Sequence, residues 1–136
     1  MAAVSDLALL LRAMRPALAP ERYGYGELPP GADAPAGLHP FATVREAEGS
    51  TVVAPEADLV AHAIARQPGW ARISLGVHSG LAAVGLTAAV AAALADAGIS
   101  ANVIAGIRHD HLFVLWARRS NAMHVLTTLS RSAATM

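Results

Sequence analysis

The stretch "HSGLAAVGLTAAVAAALADAG", residues 78 to 98, decides the fold, because it reads either as part of a membrane span or as a loop feeding a buried helix. Taken from Ile73 to Ala95, the chain runs 23 residues without Asp, Glu, Lys or Arg, with His78 as the lone ionisable group. That is long enough to cross a bilayer. The internal pattern says otherwise. Ile73, Leu75 and Val77 alternate with Arg72, Ser74, Gly76 and His78, the period of a half-buried strand. His78-Ser79-Gly80 is a natural break and Gly85 a second. The residues after Gly85 are rich in Ala rather than Leu and give little drive for insertion. The segment therefore predicts a strand over 70–78, a loop over 79–85 and a helix over 86–97, with Leu86, Val90, Leu94 and Ala97 as its buried row and Gly98 as C-cap.

Downstream, "ANVIAGI" and "HLFVLWA" predict two strands joined by a tight turn at His109-Asp110, and a final helix over 119–131 aligns Ala122, Val125, Leu126 and Leu129. Upstream, residues 55–66 carry helix signals: Pro55 at the first turn, Glu56 and Asp58 near the positive end of the dipole, a stripe of Leu59, Val60, Ala63 and Ile64, and Arg66 late. Pro68-Gly69 is read as its stop. "FATVREAEGSTVVAP" predicts a hairpin around Glu48-Gly49, and residues 29–40 a Pro/Gly/Ala loop. "RYGYGEL" (22–28) reads as a strand whose glycines let another element approach closely. Residues 5–15 form an amphipathic helix, with Ser5 available as N-cap and Pro16 as the stop.

Composition narrows the function. A chain of 136 residues makes one small domain or two fused half-size modules, and with no cysteine it has neither disulfides nor thiolate metal sites. Ten basic and ten acidic residues cancel without like-charge blocks, which argues against a nucleic-acid surface or a membrane patch and leaves small molecules or proteins as partners. The N-terminus lacks a basic residue before its apolar part, Asp6 lies in the n-region and Arg12 cuts the apolar run, so it reads as a cytoplasmic helix rather than a leader.

From residue 70 the order is strand, helix, strand, strand, helix, the start of a split βαβ, ferredoxin-like pattern with helices on one face of an antiparallel sheet. Only "SAATM" remains where a fourth strand would come. Phe113 and Leu115 also oppose Leu112, Val114 and Trp116, so both faces of that strand are apolar. The open edge and face must meet something. The N-terminal half is one candidate and a second chain the other.

The run "GLTAAVAAALADAGISANVI" resembles the signature of ACT domains, small-molecule-binding regulatory modules attached to enzymes of amino-acid metabolism. Gly85, Leu94, Ala95, Ala97, Gly98 and Ile99 fall in place. With "VHSGLAAVG", "RHDHLFV" and "FATVREAEGSTVV", the chain resembles stand-alone bacterial ACT-like proteins that lack a catalytic domain. The resemblance implies an α+β fold of two fused ACT-like, ferredoxin-type βαββα halves, residues 1–68 and 69–136, paired as a homodimer. It also implies a free amino acid held between units, against the first strand-to-helix loop and the start of the second strand. Here those places give His78, Ser79, Gly80, Val84, Gly85, Asn102, Val103 and Ile104 as the ligand-binding residues. The residues supply a reason of their own: unpaired N–H groups at the start of helix 86–97 suit a carboxylate, Ser79 offers a hydroxyl, and Asn102 an amide. Ser79 and Asn102 read equally as loop and strand-edge residues bonding their own backbone, and Gly85 as a tight turn. "HSGLAAVG" departs from the Asp-x-Pro-Gly-like run of many ACT domains, so the ligand's identity stays open.

The expectation is thus a non-catalytic regulatory module with no cofactor. The alternative is an interaction module that dimerises through its sheets and binds no ligand. His109 and His111, with His78, His124 or Asp110, would make a divalent metal site conceivable, but nothing fixes a third ligand, and solvated turn residues are the plainer reading. No nucleophile elbow, phosphate loop or paired-carboxylate spacing appears, and an enzyme would have to be assembled from His78, Ser79 and Asp110.

Overall fold

The computed structural model describes residues 6–133, so Ser5, the expected first N-cap, lies outside the described residues. The chain forms α1 (Leu7–Arg12), β1 (Pro16–Leu28), β2 (Ala42–Glu46), β3 (Gly49–Pro55), α2 (Glu56–Ala61) and β4 (Arg66–Leu75). It continues with α3 (Leu86–Asp96), β5 (Ala101–Ala105), β6 (Asp110–Leu115), a 3₁₀ turn (Trp116–Arg118) and α4 (Arg119–Ala133). The six strands form an antiparallel sheet in the order β2-β3-β1-β4-β6-β5. Two compact units divide the chain, one of Pro20–Trp70 and one of the residues up to Ala19 with those from Ala71 onward.

The central unit carries strands in the order β2-β3-β1-β4. β1 meets β3 from Tyr23↔Pro55 to Leu28↔Ser50, and β2 meets β3 from Ala42↔Val53 to Glu46↔Gly49, so the expected hairpin turns at Ala47-Glu48. Leu28, Leu38, Val52, Ala54, Leu59 and Ile64 form its core. The close approach expected beside "RYGYGEL" is that of α2: a Cβ on Gly26 would fall 2.9 Å from both Ile64 Cγ2 and Leu59 Cδ2. Residues 29–41, where a ferredoxin-like unit has its first crossover helix, run irregularly, with Leu38 buried as anchor.

The expected helix over 55–66 is cut short here. α2 stops at Ala61, Ala63 takes φ +53°, and the Ile64 N–H reaches back to the Leu59 carbonyl at 3.0 Å. Ile64 still enters the core, but from the far side of a turn, which is why it completed an apparent helical stripe. Pro68-Gly69 lies inside β4 instead of ending a helix, and the Gly69 N–H donates to Glu56 Oε2 at 3.0 Å. β1 likewise begins six residues before Arg22, directly at Pro16.

The other unit has strand order β1-β4-β6-β5. Relative to β4-α3-β5-β6-α4, the first residues of β1 stand where the missing fourth ferredoxin strand belongs. Ala71, Ile73 and Leu75 on β4, Val77 just past its end, and Leu112 and Val114 on β6 pack into one core. Leu86, Val90 and Leu94 of α3, Ala122 and Leu126 of α4, and Leu10, Leu11 and Met14 from the α1 segment pack into the same core. The opposite face holds Phe113, fully buried, and Leu115, half exposed. β5 and β6 pair from Ala101↔Val114 to Ala105↔Asp110, which places Asp110 in the strand and moves the turn to residues 106–109. Arg118 ends α3 by donating to the Ala97 carbonyl at 3.2 Å and the Gly98 carbonyl at 3.4 Å, a cation at the negative end of a helix dipole. Among the described residues no helix is long and apolar enough to cross a membrane.

Candidate functional site

The loop from β4 to α3 is shaped by its backbone. After Leu75 the Gly76 N–H donates to the Met14 carbonyl at 2.8 Å, and the Ala83 N–H closes a turn on the Gly80 carbonyl at 3.0 Å. Gly85 then adopts φ +104°, a left-handed conformation that side chains resist, and α3 begins at the next residue. No side chain caps this end of α3. Its first-turn N–H groups are therefore left to water or to a ligand, and they carry the positive end of the dipole.

Beneath that helix end lies a cavity of about 60 Å³. Ser79, Gly80, Leu81 and Ala83 of the loop line it, with Leu86 and Thr87 from the first turn of α3, and Ala105 and Asp110 from the facing ends of β5 and β6. Ser79 is 7% exposed and Asp110 9%. No side-chain hydrogen bond holds either group among the described residues. Burial raises the Asp110 pKa above its ordinary value, against the pull of His111 and His109. The cavity thus has a donor-rich pole at α3 and an acidic pole at Asp110.

The sequence-predicted residues divide around this geometry. Ser79 and Gly80 line the cavity, and Val84 and Gly85 lie on the loop segment that bounds it. His78 precedes that loop and is half-buried. Val103 packs against the core, Asn102 is exposed in register with Phe113, and Ile104 is half-buried in register with His111. Asp110, considered at the sequence level only for metal or catalysis, also lines the cavity. Its signal was its position: a strand's first residue on the same alternation as Leu112 and Val114 must point inward.

The histidines have local partners. His109 Nδ1 lies 3.3 Å from the Val77 carbonyl, which requires that nitrogen to carry the proton and donate. His111 Nδ1 lies 2.7 Å from Ser74 Oγ, a pairing between β6 and β4 on the face opposite the core. Burial lowers the His111 pKa, and Arg72 and His109 lower it further against the pull of Asp110. Among the described residues no three metal-ligating side chains gather.

Two ACT-domain family profiles match the chain in tandem, over residues 2–68 and 65–128. A solved Vibrio cholerae protein, described as of unknown function and a possible transport protein, is 39% identical. The match covers 91% of this chain and 95% of that one, with a TM-score of 0.79. The ligand-free regulatory subunit of Thermus thermophilus aspartate kinase is similar at 14% identity and TM-score 0.64, over 86% of this chain and 97% of that one. Escherichia coli aspartokinase III, solved with aspartate and ADP, is similar at 10% identity and TM-score 0.65, over 86% of this chain and 33% of that one. At such identities the kinase likeness is one of fold. No curated protein matches in sequence.

Proposed function

The chain belongs to the ACT-domain family, and on that footing we propose that it is a non-catalytic regulatory module binding a free amino acid, or a related small carboxylate, beneath the α3 N-terminus. The observation that carries this reading is the pairing of opposite poles in one small cavity: uncapped N–H groups at α3 and a buried carboxyl at Asp110. A zwitterion complements both. Its carboxylate takes the helix N–H groups and the Ser79 hydroxyl, and its ammonium takes the Asp110 carboxylate. ACT domains are regulatory and often amino-acid-binding modules, which supports an amino acid as the ligand class.

Two ACT-like halves, residues 1–68 and 69–136, follow one another in this reading, a division that the tandem profile matches support. In this reading the protein works in the cytoplasm as a homodimer, and ligand stabilises one packing of its units and so changes a contact with a partner protein. Gly85 has a backbone role first, because φ +104° fixes where α3 begins.

Thermal unfolding of the full chain against the twenty amino acids at millimolar concentration tests the proposal. A ligand at a hundredfold excess over its Kd adds about 2.7 kcal/mol of stability. A selective upward shift in Tm, lost in Ser79→Ala and Asp110→Asn, is the expected result. No shift across the panel overturns the reading and leaves an interaction module acting through its sheets.

A further inference from the structure

Leu81, Val84 and Ile107 are 69%, 84% and 76% exposed, more than any other large apolar side chain among the described residues. All three belong to the two segments that bound the cavity. Leu81 lines it directly, and Val84 lies between the lining residue Ala83 and the N-cap Gly85. Ile107 lies in the turn between the lining residues Ala105 and Asp110, a turn closed by the Gly106 N–H on the His109 carbonyl at 2.9 Å. Leu7 of α1, 39% exposed, reaches the same loop, since a Cβ built on Gly85 would fall 3.2 Å from its Cδ2. Exposed apolar side chains scattered singly need no explanation; a group of them around a polar cavity marks a surface that something covers.

Volume says what that something is. A cavity of about 60 Å³ accepts the charged head of an amino acid and leaves no room for a large side chain. That side chain would emerge beside Leu81, on the side of the cavity bounded by the segments that carry Val84 and Ile107. Resting on the proposed head-group site, we propose that this collar selects amino acids with large apolar side chains, such as leucine, isoleucine, methionine or phenylalanine. Glycine and alanine are too short to reach it. Aspartate and glutamate would place a second charge against apolar surface and lose hydration without gaining a partner.

Isothermal titration of the full-length protein with leucine, methionine, phenylalanine, alanine, aspartate and arginine tests this directly. The expected result is affinity for the large apolar ligands at least tenfold above that for alanine. Ile107→Ser, at an exposed position outside the cavity lining, should erase most of that gain while alanine binds as before, and Leu81→Ser should weaken leucine binding more than alanine binding. Equal binding of alanine and leucine, or preference for aspartate or arginine, overturns the collar while leaving the head-group site standing. Silence toward every amino acid overturns both. Sedimentation of the same variants supplies the remaining arm: conversion of a dimer to monomers with the ligand preference unchanged would assign the collar to a second copy of the chain, and the selectivity proposal would fall.

Discussion

Asp110 holds a carboxyl in an environment that disfavours its charge, and the sign of that burden is measurable. Its folded-state pKa is raised above 3.8 chiefly by burial. The folded protein therefore holds this proton more tightly than the unfolded chain, and the contribution is stabilising at low pH and lost as pH climbs from 3.8 through the raised value. Asp110→Asn removes that titration, so the variant should melt above the wild type at pH 7 and lose its advantage below pH 3.8. A Tm series against pH reads this, and a variant less stable at pH 7 would show that the carboxylate has a favourable partner. His111 acts oppositely. Its pKa is lowered from 6.5, so its contribution is present above pH 6.5 and lost as pH falls through the lowered value. His111→Gln should therefore flatten the acid side of the curve. The loop position of Ser79 and Gly85 ahead of α3 was legible because a break before an apolar helix has only a few uses. The pairing of Ser74 with His111 was not, because it joins strands 37 positions apart whose register no local pattern reveals.

Among the elements, α2 shows where local signals and tertiary structure part. Its first turn was readable from Pro55, Glu56 and Asp58, but its end was not, because Ile64 continues the apolar stripe while the backbone has already left the helix. The reversal depends on Ala63 at φ +53°, a conformation that costs a residue with a Cβ about 1 kcal/mol. Ala63→Gly should relieve that strain, and after the greater flexibility of glycine in the unfolded chain is offset it should stabilise by about 0.5 kcal/mol. The urea midpoint should rise at constant m-value. A midpoint that falls would mean that Ala63 is comfortable and the turn is held by packing alone. Glu56 gives a second handle on the same element. Its carboxylate accepts the Gly69 N–H at 3.0 Å, and Glu56→Ala should cost about 1.5–3 kcal/mol, as for a hydrogen bond to a charged group. The loop expected over 29–40, which runs one residue further to Phe41, and the helix α3 were readable from composition and caps. Strand β1 was underestimated because Pro16 reads as a stop, although a proline is also accepted at the first residue of a strand.

At the scale of the molecule, the absent fourth strand of the C-terminal half was visible as a deficit, and the sequence left two candidates to fill it, the N-terminal half and a second chain. The chain fills it from its own N-terminus: the first residues of β1 take the edge beside β4, and Leu10, Leu11 and Met14 enter the core formed with α3, α4, β4 and β6. The tandem family matches, over residues 2–68 and 65–128, and the compact units are consequently different partitions of one chain. Residues 69–136 alone lack three fully or nearly fully buried side chains, each of the kind whose truncation to Ala costs about 2–5 kcal/mol. Such losses together reach the whole stability of an ordinary domain, about 5–15 kcal/mol. The fragment 69–136 should therefore fail to fold, giving a collapsed amide spectrum and no cooperative melting. A peptide of residues 1–28, which carries α1 and all of β1, should restore dispersion and a melting transition in a concentration-dependent way. Complementation by 20–28 alone, or cooperative melting of the fragment unaided, would show that the core formed by α3, α4, β4 and β6 is sufficient and that α1 is only docked upon it.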